Sequence, residues 1–284
     1  MIKTGVIRRE ARSHFAALGN TALPAHAASP MKKNPRPLLA RVLSALVLPA
    51  ALFAQSPAPA VAPKTPAATK TAPIPELGFV DLFDGKTLHG WDGDPKYWSV
   101  RDGCILGQIT PETLIKRNTF LIWRGGAPKN FELKVEYRVS DRGNSGLNYR
   151  SVELTDAKWS LAGYQADIDG PSKHTGQNYE ERGRTFLAKR GEMVHIGANA
   201  KPVVIASLGE PEALKAFVKT GAEWNRYHLI IRGNVLTHIL NGHVMSVVID
   251  DDEAHRKFEG LIGVQVHVGP PMTIEYRSFR LKEL

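Results

Sequence analysis

Hydrophobic and polar residues alternate with a period of two over much of the chain. The cleanest run is Gly260 to Gly269. Ile262, Val264, Val266 and Val268 fall on one face, and Leu261, Gly263, Gln265 and His267 on the other. Such alternation marks a β-strand with one face in a core. Phe131 to Val139 repeats it, with Phe131, Leu133, Val135, Tyr137 and Val139 inward and Glu132, Lys134, Glu136 and Arg138 outward. Two more strands share the chemistry of Gly260–Gly269. In one, Leu147 and Tyr149 oppose Asn148 and Arg150; in the other, Tyr164, Ala166 and Ile168 oppose Gln165, Asp167 and Asp169. Their non-core faces carry groups that hydrogen-bond a ligand without filling the space above a sheet. Set side by side, the three strands would merge those faces into one patch of Asn148, Arg150, Gln165, Asp167, Gln265 and His267.

Turn chemistry divides the strands. Asp102-Gly103 and Asn241-Gly242 are two-residue hairpin signals, and Gly233-Asn234 is a further turn. Glu210 to Gly221 has Pro near its start, Leu214, Phe217 and Val218 at helical spacing and a terminal Gly, which predicts a short surface helix. Pro171 to about Val203 shows little strand pattern. It is rich in functional groups, among them His174, Tyr179, Glu180, Glu181, Arg182, Arg184 and Arg190, and predicts a long binding loop. Many strands, one short helix and no βαβ rhythm predict an all-β antiparallel sandwich.

The first quarter of the 284 residues reads differently. Residues 31–54 combine a charged start, Met31-Lys-Lys-Asn-Pro-Arg36, with the apolar run Val42 to Ala54; this is the layout of a secretory signal peptide, too short for a comfortable membrane span. A retained anchor helix is the rival reading. Residues 1–30 form a non-structural N-terminal extension, with Met31 an alternative start. Residues 55–76 form a Pro/Ala/Thr-rich tether, and 77–284 the folded domain. A periplasmic or secreted location follows.

Charge alters the picture only by subtraction. The net +9 resides in Lys and Arg upstream of Glu76, beyond which basic and acidic residues balance. The footprint of a nucleic-acid binder is therefore missing. Cys104 is the sole cysteine, which excludes an internal disulfide and Cys-based metal sites. Gly-x-Ser-x-Gly and P-loop patterns are absent, and no carboxylate pair of a conventional glycosidase stands out.

Gly78 to Trp91, Gly143-Asn-Ser-Gly146, Gly163-Tyr-Gln-Ala-Asp167, Trp224-Asn-Arg-Tyr-His228, Leu240-Asn-Gly242 and Gly263-Val-Gln-Val-His267, in this order, resemble the DUF1080 family, also called the 3-keto-disaccharide hydrolase domain. The resemblance covers essentially all of 77–284. It implies a concanavalin A-like jelly roll with the sugar site on one sheet, secretion, and action on glycosides oxidised to a ketone at C3. No cofactor is implied, and the expected partner is a small carbohydrate.

A 3-ketone acidifies the C2 proton, so cleavage calls for a base, a donor or cation at the enolate oxygen, and an acid at the leaving oxygen. His267 is a base by type, Arg150 an enolate partner, Asp167 the base or its orienting carboxylate. Glu180 is a candidate acid; Asn148, Gln165, Gln265, Tyr179, Glu181 and Arg184 are candidate substrate contacts. Each has a plainer reading beside it: Asp167 and Arg150 as a structural ion pair, Glu180 to Arg184 as a solvated loop, His238 as a buried histidine. No metal is assigned, although Asp167, Asp169, Gln265 and His267 would suit a divalent ion if their strands were adjacent. A non-catalytic carbohydrate-binding module and a β-glucanase-like hydrolase are the competing functions.

Overall fold

The computed structural model describes residues 76–284. The expected extension, export signal and tether up to Pro75 lie outside the described residues.

Period-two alternation becomes two stacked sheets. Phe131–Val139 alternates between buried and half-buried along all nine residues, with its apolar set inward. One sheet orders the strands Thr185–Ala188, Asn178–Glu181, Leu161–Asp169, Asn144–Glu153, Leu261–Val266, Thr119–Trp123 and Trp91–Asp92. The other, ten-stranded, runs from Pro202–Ser207 at one edge through Asn225–Arg232, Phe131–Val139 and Met272–Glu283 to Trp98–Arg101. Between them Leu133, Val135, Leu229 and Ile274 meet Leu147, Ala166, Ile168, Ile262, Val264 and Val266, all fully buried. Each such Leu, Ile or Val side chain contributes about 1.5–3 kcal/mol over leaving it in water. The antiparallel sandwich is as expected, with one exception. Glu192–Ile196 runs parallel to His243–Asp250.

Asp102-Gly103 and Asn241-Gly242 take left-handed conformations at both positions, with φ of 50° and 75° and of 50° and 87°. That is the two-residue turn whose twist matches paired strands, and it sets Arg101 opposite Cys104 and Leu240 opposite His243. His238 is fully buried, its Nε2 2.8 Å from the Tyr149 hydroxyl, and burial pushes its pKa down to about 3. It is a neutral core histidine.

Two local expectations fail. Residues 171–203 are not one long loop: Asn178–Glu181 and Thr185–Ala188 form a hairpin at the edge of the seven-stranded sheet, and Glu192–Ile196 and Pro202–Ser207 extend the other sheet. These strands are four to six residues long, and Asn178–Glu181 buries polar side chains on both faces, so no apolar alternation marks them. The helix is also shorter than its signals, Pro211–Lys215, with Leu214 its buried residue.

Candidate active site on the seven-stranded sheet

The three polar strands are neighbours, Leu161–Asp169 against Asn144–Glu153 against Leu261–Val266. Pairing places Tyr179, Gln165, Asn148 and Gly263 in one row across four strands. Asp167 lies opposite Gly146 in the adjoining row. Gly146 is the opening in this surface: a Cβ there would lie 2.5 Å from Cγ and Cδ of Gln165. The Gln165 side chain therefore folds over Gly146 and donates from Nε2 to Asp167 Oδ1 at 2.8 Å. Gln265, fully buried, donates from Nε2 to Gln165 Oε1 at 3.1 Å and to Glu181 Oε2 at 3.5 Å. Two glutamines thus tie Asp167 to Glu181.

Above them is a cavity of about 270 Å³ lined by Gln165, Asp167, Tyr179, Glu181 and His267, with Asn118, Asn144, His174 and Phe186. Burial dominates the electrostatics. Asp167 is pushed up to about 8 by loss of hydration and by the neighbouring charges of Asp169 and Glu181, against the single hydrogen bond from Gln165. Burial likewise raises Glu181, opposed by Asn118, which donates to it at 3.3 Å, and by the field of His267. The His267 ring approaches the Val268 carbonyl at 2.7 Å through Nδ1. A carbonyl only accepts, so Nδ1 is the nitrogen that donates there, and the neutral form of the ring would present the Nε2 lone pair to the pocket.

Five of the sequence-derived site residues thus line one pocket, and Gln265 supports it from below. The others do other work. Arg150 sits at a bulge between Tyr149 and Val152, with φ 45°, which takes its side chain out of the strand alternation. Its guanidinium donates to the carbonyls of Lys129, Gly233 and Lys257, cross-linking three turns. It neither lines the pocket nor pairs with Asp167. Glu180 points to the opposite face from Tyr179 and Glu181 and binds Arg184, Nε to Oε2 2.6 Å. Arg184 also holds Asp250 at 2.6 Å and Asp252 at 3.1 Å, so both Glu180 and Arg184 anchor the hairpin instead of touching a ligand. Asn148 is fully buried in the Gln165 row, outside the pocket lining, and its amide has no hydrogen bond among the described residues.

Gly263 makes room for Leu161 rather than for a ligand; a Cβ there would meet Leu161 Cδ1 at 2.7 Å. The strands suited to a divalent ion are adjacent, yet Asp169 is turned away: its carboxylate accepts from the backbone of Lys173, His174 and Thr175 at 2.7–2.8 Å. Among the described residues no three His, Cys, Asp or Glu side chains are grouped to hold a metal.

Three pocket residues, Asn144, Asn118 and Phe186, carry no sequence signal as site residues, while His174 belongs to the stretch that reads as a binding loop. Asn144 opens its strand, and Asn118 precedes another, where it also fixes Val268 through a 2.9 Å bond from the Val268 amide. His174 and Phe186 stack at 5.9 Å, with Tyr179 edge-on to Phe186 at 5.1 Å, forming an aromatic wall from two segments. A usable signal existed only for the surface itself, the glycine within the Asn144–Glu153 strand, since an interior strand glycine marks close approach of another group.

A family model described as the 3-keto-alpha-glucoside-1,2-lyase-like domain matches residues 78–282. The chain belongs to that family. A 3-keto-disaccharide hydrolase from Bacteroides thetaiotaomicron is 39% identical over 90 residues, 29% of this chain and 31% of that protein. The match therefore spans under a third of the relative's length. A crystal structure of a protein from Parabacteroides distasonis assigned as a glycosyl hydrolase superposes with a TM-score of 0.50 at 17% identity, covering 72% of this chain and 99% of that one. A second from the same organism gives 0.48 at 20% identity, covering 73% and 94%. At 17% identity the first likeness is one of fold.

Proposed function

We propose that the protein is an exported enzyme that cleaves 3-keto-glycosides, with Asp167 as the base that removes the C2 proton. The observation that carries this reading is the state of Asp167: a carboxylate on a sugar-sized polar pocket, stripped of water and raised to about 8. A base is most effective when its pKa lies near the working pH.

The steps balance with the groups at hand. Asp167 takes the C2 proton, and the electron pair passes into the ketone as an enolate. The Asn144 amide and the Tyr179 hydroxyl, both lining the pocket, are the available donors to that oxygen. The enolate collapses to a C1=C2 double bond, breaking the bond from C1 to the leaving oxygen. Glu181, whose carboxyl burial keeps more readily protonated, supplies the proton. Water then adds its hydroxyl at C1 while its proton passes to Glu181, which is thereby restored, and Asp167 returns the proton to C2. His267 accepts a sugar hydroxyl through Nε2, and the Phe186 ring provides a stacking face.

The test uses methyl 3-keto-glucoside in D₂O followed by proton NMR. Loss of the C2 signal together with release of methanol is expected. Binding without exchange or cleavage would make the domain a carbohydrate-binding module, and equal turnover of the unoxidised glucoside would make it a conventional hydrolase.

Export rests on the charged start and apolar run of residues 31–54. Mass spectrometry of the protein from its native host is expected to find a chain beginning after that run. A mature chain that keeps the run would refute cleavage of the signal.

A further inference from the structure

The candidate site has a second lobe that the chemistry above does not use. It encloses about 390 Å³ and is lined by Lys116, Arg117, Arg182, Gly183, Thr185 and Val268, beside four residues that it shares with the first lobe. Those four are Asn118, Tyr179, Glu181 and His267. Asp167 lines only the first lobe and Glu181 stands at the junction. If the ring that loses its C2 proton lies over Asp167 and its leaving oxygen meets Glu181, the leaving group extends past Glu181 into the second lobe.

That lobe is cationic. Lys116 and Arg117 are exposed, and among the described residues neither forms an ion pair. Arg182 lies 3.8 Å from Glu181, the lobe's one carboxylate, which burial pushes toward its neutral form. Three cations around one weakened carboxylate are a poor lining for a neutral sugar. They are a good one for a sugar carrying negative charge, since a concave wall of one sign concentrates the opposite sign.

We propose that the second lobe is a leaving-group subsite selecting an anionic substituent, a carboxylate or a phosphate ester. This rests on the function proposed above. Carboxylate would correspond to a uronic acid and phosphate to a phosphorylated sugar; the guanidinium of Arg117 or Arg182 suits either.

The experiment compares three aryl 3-keto-glucosides with 4-carboxyphenyl, 4-phosphonooxyphenyl and neutral 4-carbamoylphenyl leaving groups. It is run on the whole protein and on the variant with Lys116→Gln and Arg117→Gln. Both residues are exposed, so folding is preserved, and circular dichroism checks that it is. The readout is kcat/KM for each anionic probe relative to the neutral one. Intrinsic leaving ability cancels when that ratio is compared between the two proteins.

The ratio is expected to fall about tenfold in the variant, and similarly for the unmodified protein between low salt and about 0.5 M NaCl. A fall for the carboxylate probe alone assigns a uronic acid, and one for the phosphate probe alone a phosphorylated sugar. A ratio that is the same in both proteins overturns the subsite and leaves the cations as a solvated rim. Turnover of none of the three by the unmodified protein would overturn the proposed function and the subsite with it, an outcome distinct from turnover without preference.

Discussion

Asp167→Asn is expected to lower kcat/KM on a 3-keto-glycoside by about 10²–10⁴-fold, the usual contribution of a positioned base, while making the protein more stable at alkaline pH. The two effects share one cause. Asp167 is buried and raised to about 8, so the folded state holds its proton more tightly than the unfolded chain does. Below about pH 4 both states are protonated and the group costs nothing. As pH rises the unfolded chain ionises first, and stability is lost progressively until the folded carboxyl also ionises near 8. Above that pH the penalty is constant, and asparagine removes it while still accepting the Gln165 bond. Urea titrations are expected to show the variant and the parent equal near pH 3.5 and the variant more stable by a few kcal/mol at pH 9. The parent's kcat/KM should rise with pH to a midpoint near 8. Retained activity in the variant, or equal stability at both pH values, would remove Asp167 from the role of base.

Arg184→Met carries the largest expected loss of stability, about 3–5 kcal/mol, because it leaves buried carboxylates without their cation. Arg184 is 9% exposed at its side chain and bonds Glu180, Asp250 and Asp252, each 4% exposed or less. Its partners bring together the Asn178–Ala188 hairpin and the end of the His243–Asp250 strand. Asp250 in turn accepts from the Tyr164 hydroxyl at 2.6 Å. That hairpin carries Tyr179, Glu181 and Phe186, so activity should fall with the fold and not through lost substrate contact. Denaturant titration is the measure, with soluble yield as a second readout if the variant does not refold. A variant of normal stability and selectively raised KM would restore Arg184 to the substrate-contact role that its position in the sequence suggested.

The contrast between Asp167 and Arg184 shows how far local pattern reaches. Gln165, Asp167, Gln265 and His267 are legible because each belongs to a strand or strand end whose other face is plainly apolar. Arg150 belongs to such a strand too, and there the inference broke. A bulge of one residue reverses the side a residue faces, and no alternation records it beforehand. Tyr179 and Glu181 were singled out for the wrong reason, as loop residues. Their strand pairs at the sheet's edge and buries polar groups on both faces, so nothing apolar marks it. Arg184 likewise reads as a substrate contact, and Arg190 as one more functional group of a binding loop. Arg190 instead donates to the carbonyls of Ser172 and Thr175, holding the turn beside Asp167. Arginine serves both uses with the same planar fork, and only its surroundings say which.

Period-two patterning, hairpin turns and a run of order-specific motifs determined the sandwich, its family and the face that carries the candidate site, since the fold and its faces depend on which residues leave water. Which polar groups meet was decided by strand order and register. Gln165 lies across Gly146 because two strands pair there, and Asp167 is raised because the hairpin and the turn at 170–177 close over it. Desolvation is a property of assembled surroundings. The chemistry that depends on it exists only in the folded protein.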